Sequence, residues 1–215
     1  MLKLYTYFRS SAAYRVRIAL NLKKIEYTAI PVHLIRDGGH QHSSDYAARN
    51  PQELLPTLED DGLTITQSIA ILEYLEEVYP SPALLPPDAP GRAYVRSLAL
   101  AIACDIHPLN NLRVLRYLED TLGVDAERRA EWYRQWVKVG FTALEQLLAR
   151  RTHAGEFCHG DSPTMADCCL VPQVFNAQRL QCPLDNYPVL MQIHANCEEL
   201  EAFQRAAPGM QFDAE

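Results

Sequence analysis

The chain has 215 residues and a mass of 24.4 kDa, a length that fits one large domain or two small ones. Its hydrophobic content of 48% is enough for a buried core, and its net charge of −7 argues against a nucleic-acid-binding protein, which would carry a basic surface. Because the overall charge repels anions, an anionic substrate would have to be held by local arginines.

The first residues, MLKLYTYF, lack the basic start and the long apolar run of a secretion signal. No apolar run approaches the ~20 residues that span a bilayer. We therefore expect a cytoplasmic protein with no membrane partner. The six cysteines all lie in the second half of the chain without a C-x-x-C pair, so we expect core residues with intact thiols.

The first eighty residues alternate strand and helix patterns. The sequence predicts a strand over 3–8, a helix over 11–24 and a second strand over 27–34. Asp60-Asp61-Gly62 between two short apolar runs predicts a hairpin, and residues 67–79 form an amphipathic pattern that Pro80 ends. The order β-α-β followed by β-β-α is that of a thioredoxin-like domain.

The second part of the chain is helical. Residues 80–91 contain five prolines and read as a linker, after which helical patterns cover 92–120 (with a possible break at Pro108), 126–151, 164–180 and 188–206. Thr164 and Asp167 have the spacing of a capping box. We thus predict an α/β thioredoxin-like domain over 1–80, a linker over 81–90 and an all-helical domain over 91–215.

Two adjacent serines, Ser10 and Ser11, precede the first helical run. Serine is a favoured N-cap residue, but a helix start also offers free N–H groups to an anionic ligand. Thioredoxin-like domains usually stabilise a thiolate at this position, and here it holds Ser10, Ser11, Ala12 and Ala13. A dithiol oxidoreductase is therefore excluded, and a thiolate would have to arrive with a ligand such as glutathione.

Several segments carry a resemblance that covers almost the whole chain. YFRSSAAYRVRIAL, NPQELLPTLEDDGLTITQSIAILEYLEE, CDIHPLNNLRVL and MADCCLVPQVFNAQRL together closely resemble the zeta-class glutathione transferases. The resemblance implies a glutathione-transferase architecture, glutathione as cofactor and a homodimer. The chain departs from the Ser-Ser-Cys signature at Ala12, which removes side chemistry through a protein thiol there.

The same resemblance implies a set of glutathione contacts. Ser10 and Ser11 would face the sulfur, Leu55 before a cis Pro56 would present its backbone to the cysteinyl part, and Gln67 and Ser68 would bind the γ-glutamyl carboxylate. The remaining expected contacts are Ala12, Gln41, His107, Asn111, Leu112 and Arg113. His107 and Asn111 could equally be structural polar residues.

The implied reaction is the glutathione-dependent cis–trans isomerisation of maleylacetoacetate to fumarylacetoacetate, in tyrosine and phenylalanine breakdown. Ser10, Ser11 and Arg9 are the expected catalytic residues, and Arg9 and Arg179 are candidates to hold the dianionic substrate. Arg15 and Arg17 are expected to be structural.

Alternatives remain open at this point. They are isomerisation of maleylpyruvate, a general transferase acting on α-haloacids, and a non-catalytic binding module of the same fold. No metal is expected, because His40 and His42 have no further ligand at metal-site spacing.

Overall fold

A computed structural model describes residues 1–215, and the chain divides into two compact units. The first consists of Met1–Leu84 together with Glu198–Glu215, and the second of Leu85–Cys197. The sequence pattern assigned all of 91–215 to the helical domain. The structure instead packs Glu198–Glu215 with the first unit, because the last helix lies against the first one.

The first unit is built on a four-stranded sheet. Its strands have the order β2-β1-β3-β4, with β1 parallel to β2 and the other two pairs antiparallel. This confirms the thioredoxin-like arrangement. The elements are β1 (Lys3–Thr6), α1 (Ser11–Leu22), β2 (Thr28–Pro31), α2 (Ser44–Ala47), β3 (Thr57–Asp60), β4 (Leu63–Thr66) and α3 (Ser68–Val78).

The hairpin between β3 and β4 follows the local signal in the sequence. Asp60 pairs with Leu63, and the two central residues, Asp61 and Gly62, have φ values of 43° and 91°. Two consecutive positive φ values are those of a type I′ turn, whose twist matches the flanking strands. The Asp-Gly pair therefore fixes the register of this edge of the sheet.

The helices of the first unit are joined by a buried ion pair as well as by apolar packing. Leu20, Leu58 and Leu72 have no exposed surface. Lys23 Nζ lies 2.8 Å from Glu76 Oε2, with side-chain exposures of 0% and 6%, and it also donates to two backbone carbonyls beyond α3. This pair ties the end of α1 to the end of α3.

The predicted helix over 188–206 is two helices. The structure contains α8 (Pro188–Glu198) and α9 (Glu201–Ala206), and α9 contacts α1. Asn21 donates to the carbonyl of Ala202 at 3.0 Å. The break lets the chain return to the first unit.

The second unit is helical throughout. Its elements are α4 (Ala89–Leu100), a π-helical continuation (Ala101–Ile106), α5 (Leu112–Arg116), a π-helical turn (Tyr117–Thr121), α6 (Ala126–Ala149), α7 (Met165–Arg179) and α8. The helical pattern over 92–120 is therefore interrupted at Pro108, where a 3-10 turn begins. None of the helices in the chain combines the length and the apolar character needed to cross a membrane.

The capping box at the start of α7 is present as predicted. Asp167 Oδ2 accepts from the backbone N–H and from the hydroxyl of Thr164, both at 2.7 Å, and Oδ1 accepts from Cys158 N at 2.9 Å. Asp167 is fully buried, and this burial raises the pKa of its carboxyl. The box anchors the loop before α7 to the helix.

Candidate functional site

Ser10 is the N-cap of α1. Its φ and ψ are −69° and 112°, its backbone N–H donates to Tyr7 O at 3.0 Å, and its Oγ accepts from Ala13 N at 3.3 Å. Accepting this bond leaves the hydroxyl proton of Ser10 available as a donor. Ser10 is half-buried and Ser11, the first residue of the helix, is 5% exposed. Capping and anion binding are therefore compatible at Ser10.

Arg9 lies beside this helix start. Its Nη2 donates to the hydroxyl of Tyr7 at 3.0 Å, and its guanidinium carbon is 5.0 Å from the centre of the Phe8 ring. An arginine has five N–H donors, so this arrangement still leaves several for a carboxylate. The aromatic contacts hold the guanidinium against Tyr7 and Phe8.

Arg17 holds the loop that leads from β1 to Ser10. Its side chain has no exposed surface and donates to Tyr7 O at 3.3 Å and to Phe8 O at 2.9 Å. Burial lowers the pKa of Arg17 to about 10, which leaves the guanidinium charged at neutral pH. Arg17 thus has the structural role expected from the sequence, since it holds the loop that presents Ser10.

A second helix start, that of α3, lies at Gln67 and Ser68. Gln67 precedes the helix with φ 71° and ψ 115°, a left-handed backbone that non-glycine residues adopt rarely and that occurs often at binding sites. No side chain caps α3, so the N–H groups of its first turn can serve a carboxylate. Arg15, which is 2% exposed, donates from Nη1 to Ser68 Oγ at 3.1 Å.

The segment before β3 contains the predicted cis proline. The Leu55–Pro56 peptide bond is cis, and Leu55 is 9% exposed. Its neighbour Leu54 is held by the Tyr46 hydroxyl at 2.6 Å and by Asn50 Nδ2 at 2.7 Å, both bound to the Leu54 carbonyl. The backbone on which Leu55 lies is therefore fixed in position.

Gln41 lies in a 3-10 turn, His40–His42, and is 5% exposed. Its Nε2 is 2.9 Å from His42 Nε2, and its Oε1 is buried without a hydrogen-bond partner. His40 pairs with Asp37, and His42 pairs with Glu53. No group of three or more potential metal ligands occurs in the chain. The contact of Gln41 with glutathione stays a prediction.

The predicted site residues of the second unit cluster around the 3-10 turn after Pro108. Asn111 caps α5, with its Oδ1 accepting from Arg113 N at 3.1 Å, which leaves its amide NH2 available to donate to a ligand. Trp132 Nε1 donates to Leu109 O at 2.8 Å and pins the turn to α6. His107 and Leu112 are half-buried and Arg113 is exposed.

Arg179 is the last residue of α7 and is exposed. Burial raises the pKa of Tyr133 to about 12, and the positive charge of Arg179 opposes that shift. The charge of Arg179 therefore acts on the Tyr133 hydroxyl, a buried polar group of the second unit. Its role in holding substrate stays a prediction.

Sequence reasoning missed two contacts beside the predicted site residues of the first unit. Arg15 contacts a predicted ligand residue, Ser68, and Asp213 Oδ2 accepts from Phe8 N at 3.1 Å beside the Ser10 loop. An arginine inside an apolar helical run does signal a buried polar partner, since an unpaired buried charge is costly. Asp213 gives no comparable local signal.

Comparisons with known proteins match both parts of the chain to one family. Residues 1–77 match the model of the glutathione S-transferase N-terminal domain, and residues 130–195 match that of the C-terminal domain. A probable maleylacetoacetate isomerase of Vibrio cholerae is 52% identical over 98% of this chain and 97% of its own length.

Two solved structures extend the likeness to three dimensions. The holo structure of a maleyl pyruvate isomerase, described as a bacterial zeta-class glutathione-S-transferase, has a TM-score of 0.96 at 47% identity and covers 99% of this chain and 100% of its own. A maleylacetoacetate isomerase of Methylobacterium extorquens AM1, with bound malonate and glutathione, has a TM-score of 0.95 at 41% identity, covering 99% of each chain. This chain therefore belongs to the zeta class of the glutathione transferases.

Proposed function

We propose that the protein is a glutathione-dependent cis–trans isomerase that converts maleylacetoacetate to fumarylacetoacetate. The observation that carries the proposal is the half-buried Ser10 at the N-terminus of α1, whose hydroxyl proton is available to a sulfur atom. The first unit contains no cysteine, so the sulfur is supplied by glutathione. Similar proteins are named as maleylacetoacetate and maleyl pyruvate isomerases, which supports this chemistry.

Glutathione binds to the first unit through both helix starts. Ser10, with Ser11, faces the sulfur, and the first turn of α1, which includes the Ala12 backbone, favours the thiolate. Gln67 and Ser68 at the start of α3 bind the γ-glutamyl carboxylate, and the Leu55 backbone binds the cysteinyl part. The further contacts in the proposal are Pro56, Gln41, His107, Asn111, Leu112 and Arg113.

The chemistry avoids rotation about a double bond. The glutathione thiolate adds to the alkene carbon next to the carboxylate, and the π electrons move to the conjugated carbonyl oxygen as an enolate. Rotation about the resulting single bond is fast. The enolate then re-forms the double bond in the trans geometry and expels the thiolate, so glutathione is not consumed.

Thiolate formation limits this mechanism at neutral pH. A decrease of about two units in the thiol pKa raises the thiolate fraction by up to about a hundredfold, which corresponds to about 2.7 kcal/mol. One hydroxyl donor and a helix N-terminus together are sufficient for such a shift. Arg9 and Arg179 are the proposed carboxylate clamps for the dianionic substrate.

A second substrate is supported by the likeness to the maleyl pyruvate isomerase structure, which has the TM-score of 0.96. Maleylpyruvate would react by the same addition, rotation and elimination. The two acids differ in chain length, so the depth of the substrate pocket would determine which of them is preferred.

The proposal includes a cytoplasmic homodimer. All six cysteines are free, which suits a reducing compartment. In the first unit, Leu63 and Val78 are 49% and 48% exposed, and a second copy of the chain could cover such apolar side chains.

The decisive experiment is an ultraviolet assay of both acids in parallel, with and without glutathione. We expect turnover of at least one acid that requires glutathione in catalytic amounts, and the ratio of kcat/KM values identifies the preferred acid. Conversion at the full rate without glutathione would overturn the proposal. Consumption of glutathione in proportion to product would indicate a transferase instead.

A further inference from the structure

Two charged side chains hold the backbone of the residues that lead to Ser10. Arg17 donates to the carbonyls of Tyr7 and Phe8, and Asp213 Oδ2 accepts from Phe8 N at 3.1 Å. The Tyr7 carbonyl also accepts the backbone N–H of Ser10 at 3.0 Å. Arg17 and Asp213 thus bind the two peptide groups that follow Tyr7 and Phe8. The first of these groups also accepts the hydrogen bond from Ser10 N, so both side chains act on the position of Ser10.

Asp213 belongs to the C-terminal tail, residues 211–215, which is anchored at both ends. Gln211 Nε2 donates to the carbonyls of Arg205 and Ala207, each at 2.9 Å. At the other end Glu215 pairs with Arg36 and lies 3.3 Å from His33 Nε2. The tail holds the Asp213 carboxylate against the loop that precedes α1.

The tail also borders the segment after β2. A cleft of about 340 Å³ is lined by Phe212, Asp213, Ala214 and Glu215 on one side and by Pro31, His33, Arg36 and His40 on the other. His33 packs edge-on against Tyr7, with ring centres 4.8 Å apart. The tail therefore contacts the Tyr7–Phe8 segment through Asp213 and the segment after β2 through Glu215.

We propose that Asp213 is a positioning residue for thiolate activation, and this inference rests on the proposed function. By binding Phe8 N it fixes the peptide groups that orient Ser10, whose hydroxyl must lie within hydrogen-bond distance of the sulfur. Small displacements at such a contact are costly, because hydrogen bonds weaken steeply with distance and angle. Arg17 acts on the opposite edge of the same peptides.

A positioning role and a direct charge effect make opposite predictions. The Asp213 carboxylate is negative, so its charge alone disfavours a nearby thiolate, and its removal would lower the thiol pKa. If Asp213 instead positions Ser10, removal weakens the hydroxyl–thiolate bond and raises the thiol pKa. The direction of the shift therefore distinguishes the two roles.

The test compares three variants with the wild type. Asp213→Ala removes the acceptor of Phe8 N, and Asp213→Asn keeps an acceptor oxygen without the charge. Glu201→Gln is the control, a matched loss of one carboxylate charge on the exposed surface of the same unit. The readouts are the pH titration of the thiolate absorbance of bound glutathione, the pH profile of kcat/KM, and the amide hydrogen exchange of residues 7–10.

We expect Asp213→Ala to raise the thiol pKa by about one unit, which lowers the thiolate fraction at pH 7 by up to about tenfold. Its kcat should fall by a similar factor and recover at high pH, with the KM for glutathione changed less than about twofold and faster exchange at residues 7–10. Asp213→Asn and Glu201→Gln should titrate like the wild type.

An unchanged or lowered thiol pKa in Asp213→Ala overturns the inference, as does an Asn variant as impaired as the Ala variant. If Asp213→Ala does not fold, a chain ending at Phe212 is held to the same criteria. A wild type without isomerase activity would refute the proposed function, whereas hydrogen exchange at residues 7–10 still decides whether Asp213 holds the loop.

Discussion

Arg15 and Ser68 connect the two helix starts of the proposed glutathione site. Arg15 lies one turn into α1, four residues after Ser11, and its Nη1 donates to the Oγ of Ser68, the first residue of α3, at 3.1 Å. Both side chains are buried. The sulfur end and the γ-glutamyl end of glutathione are therefore bound by helices that one guanidinium joins.

This connection predicts energetic coupling between Arg15 and Ser68 in glutathione binding. Because Ser68 Oγ accepts from Arg15, its own proton is available to donate to a ligand carboxylate. We expect Ser68→Ala and Arg15→Met each to raise the Kd for glutathione about tenfold, or ~1.4 kcal/mol. The double variant should be weaker than the wild type by clearly less than the sum.

A double-mutant cycle measured by calorimetry gives the coupling. The control ligand is a glutathione analogue without the α-carboxylate of the γ-glutamyl residue, which should bind the wild type and the Ser68 variant alike. Strict additivity of the two substitutions for glutathione itself would show that the buried hydrogen bond does not act on the ligand.

Two substitutions of Ser10 should separate its role as a helix cap from its role in catalysis. Ser10→Ala removes both, and its loss of the cap costs about 0.5–2 kcal/mol of stability, whereas glycine at an N-cap costs only a few tenths. We expect both Ser10→Ala and Ser10→Gly to raise the pKa of the bound thiol and to lower kcat at neutral pH, while glutathione still binds.

The measurement is the pH profile of kcat together with urea unfolding. If the hydroxyl stabilises the thiolate, activity declines as the pH falls below the raised thiol pKa, and the two variants share that profile although they differ in stability. Unaffected turnover in both variants would transfer the role to Ser11 or to the helix N-terminus.

Local signals account for most of what the sequence predicts correctly here. The Asp61-Gly62 turn, the Thr164–Asp167 capping box and the Ser10 cap each depend on residues within a few positions of one another. Such contacts are specified by short-range backbone geometry, which the order of residues already contains.

Contacts between distant parts of the chain account for what the sequence misses. Asp213 and Phe8 are 205 positions apart, and Arg15 and Ser68 are 53 apart. Neither pairing has a periodicity or spacing that a pattern could detect. The break between α8 and α9 belongs to the same class, because it is stabilised by the packing of α9 on α1.

Removing one partner of the Lys23–Glu76 pair should destabilise the first unit more than replacing both partners with apolar residues. Glu76→Gln leaves the Lys23 ammonium fully buried without its counter-charge, and we expect a loss of about 3–5 kcal/mol. Replacing both, as in Lys23→Met with Glu76→Leu, should be much less harmful than the single change.

Urea unfolding of the two variants checks this expectation, with Arg205→Ala as the control, because Arg205 pairs with Glu201 on the surface at 3.8 Å. Exposed pairs of that kind contribute about 0–1 kcal/mol. A single Glu76→Gln variant as stable as the wild type would mean that the two carbonyl acceptors satisfy Lys23 by themselves.

The cysteines should divide into one reactive thiol and five protected ones. Cys104 is exposed and the other five are buried. Burial raises the pKa of Cys158 and of Cys182, so these thiols stay protonated at neutral pH and react slowly. A thiol reagent should therefore modify one rapid equivalent in the native protein and six after denaturation.

Because the proposed nucleophile belongs to glutathione, Cys104→Ser should retain the kcat of the wild type within about twofold. The variant should also lose the rapid equivalent of thiol modification, which identifies the residue. If instead Cys104→Ser abolished turnover with glutathione still bound, a thiol of the protein would have to take part in the addition step. The absence of a cysteine at position 12, where the chain has Ala12, would then no longer explain why the chain needs the sulfur of glutathione.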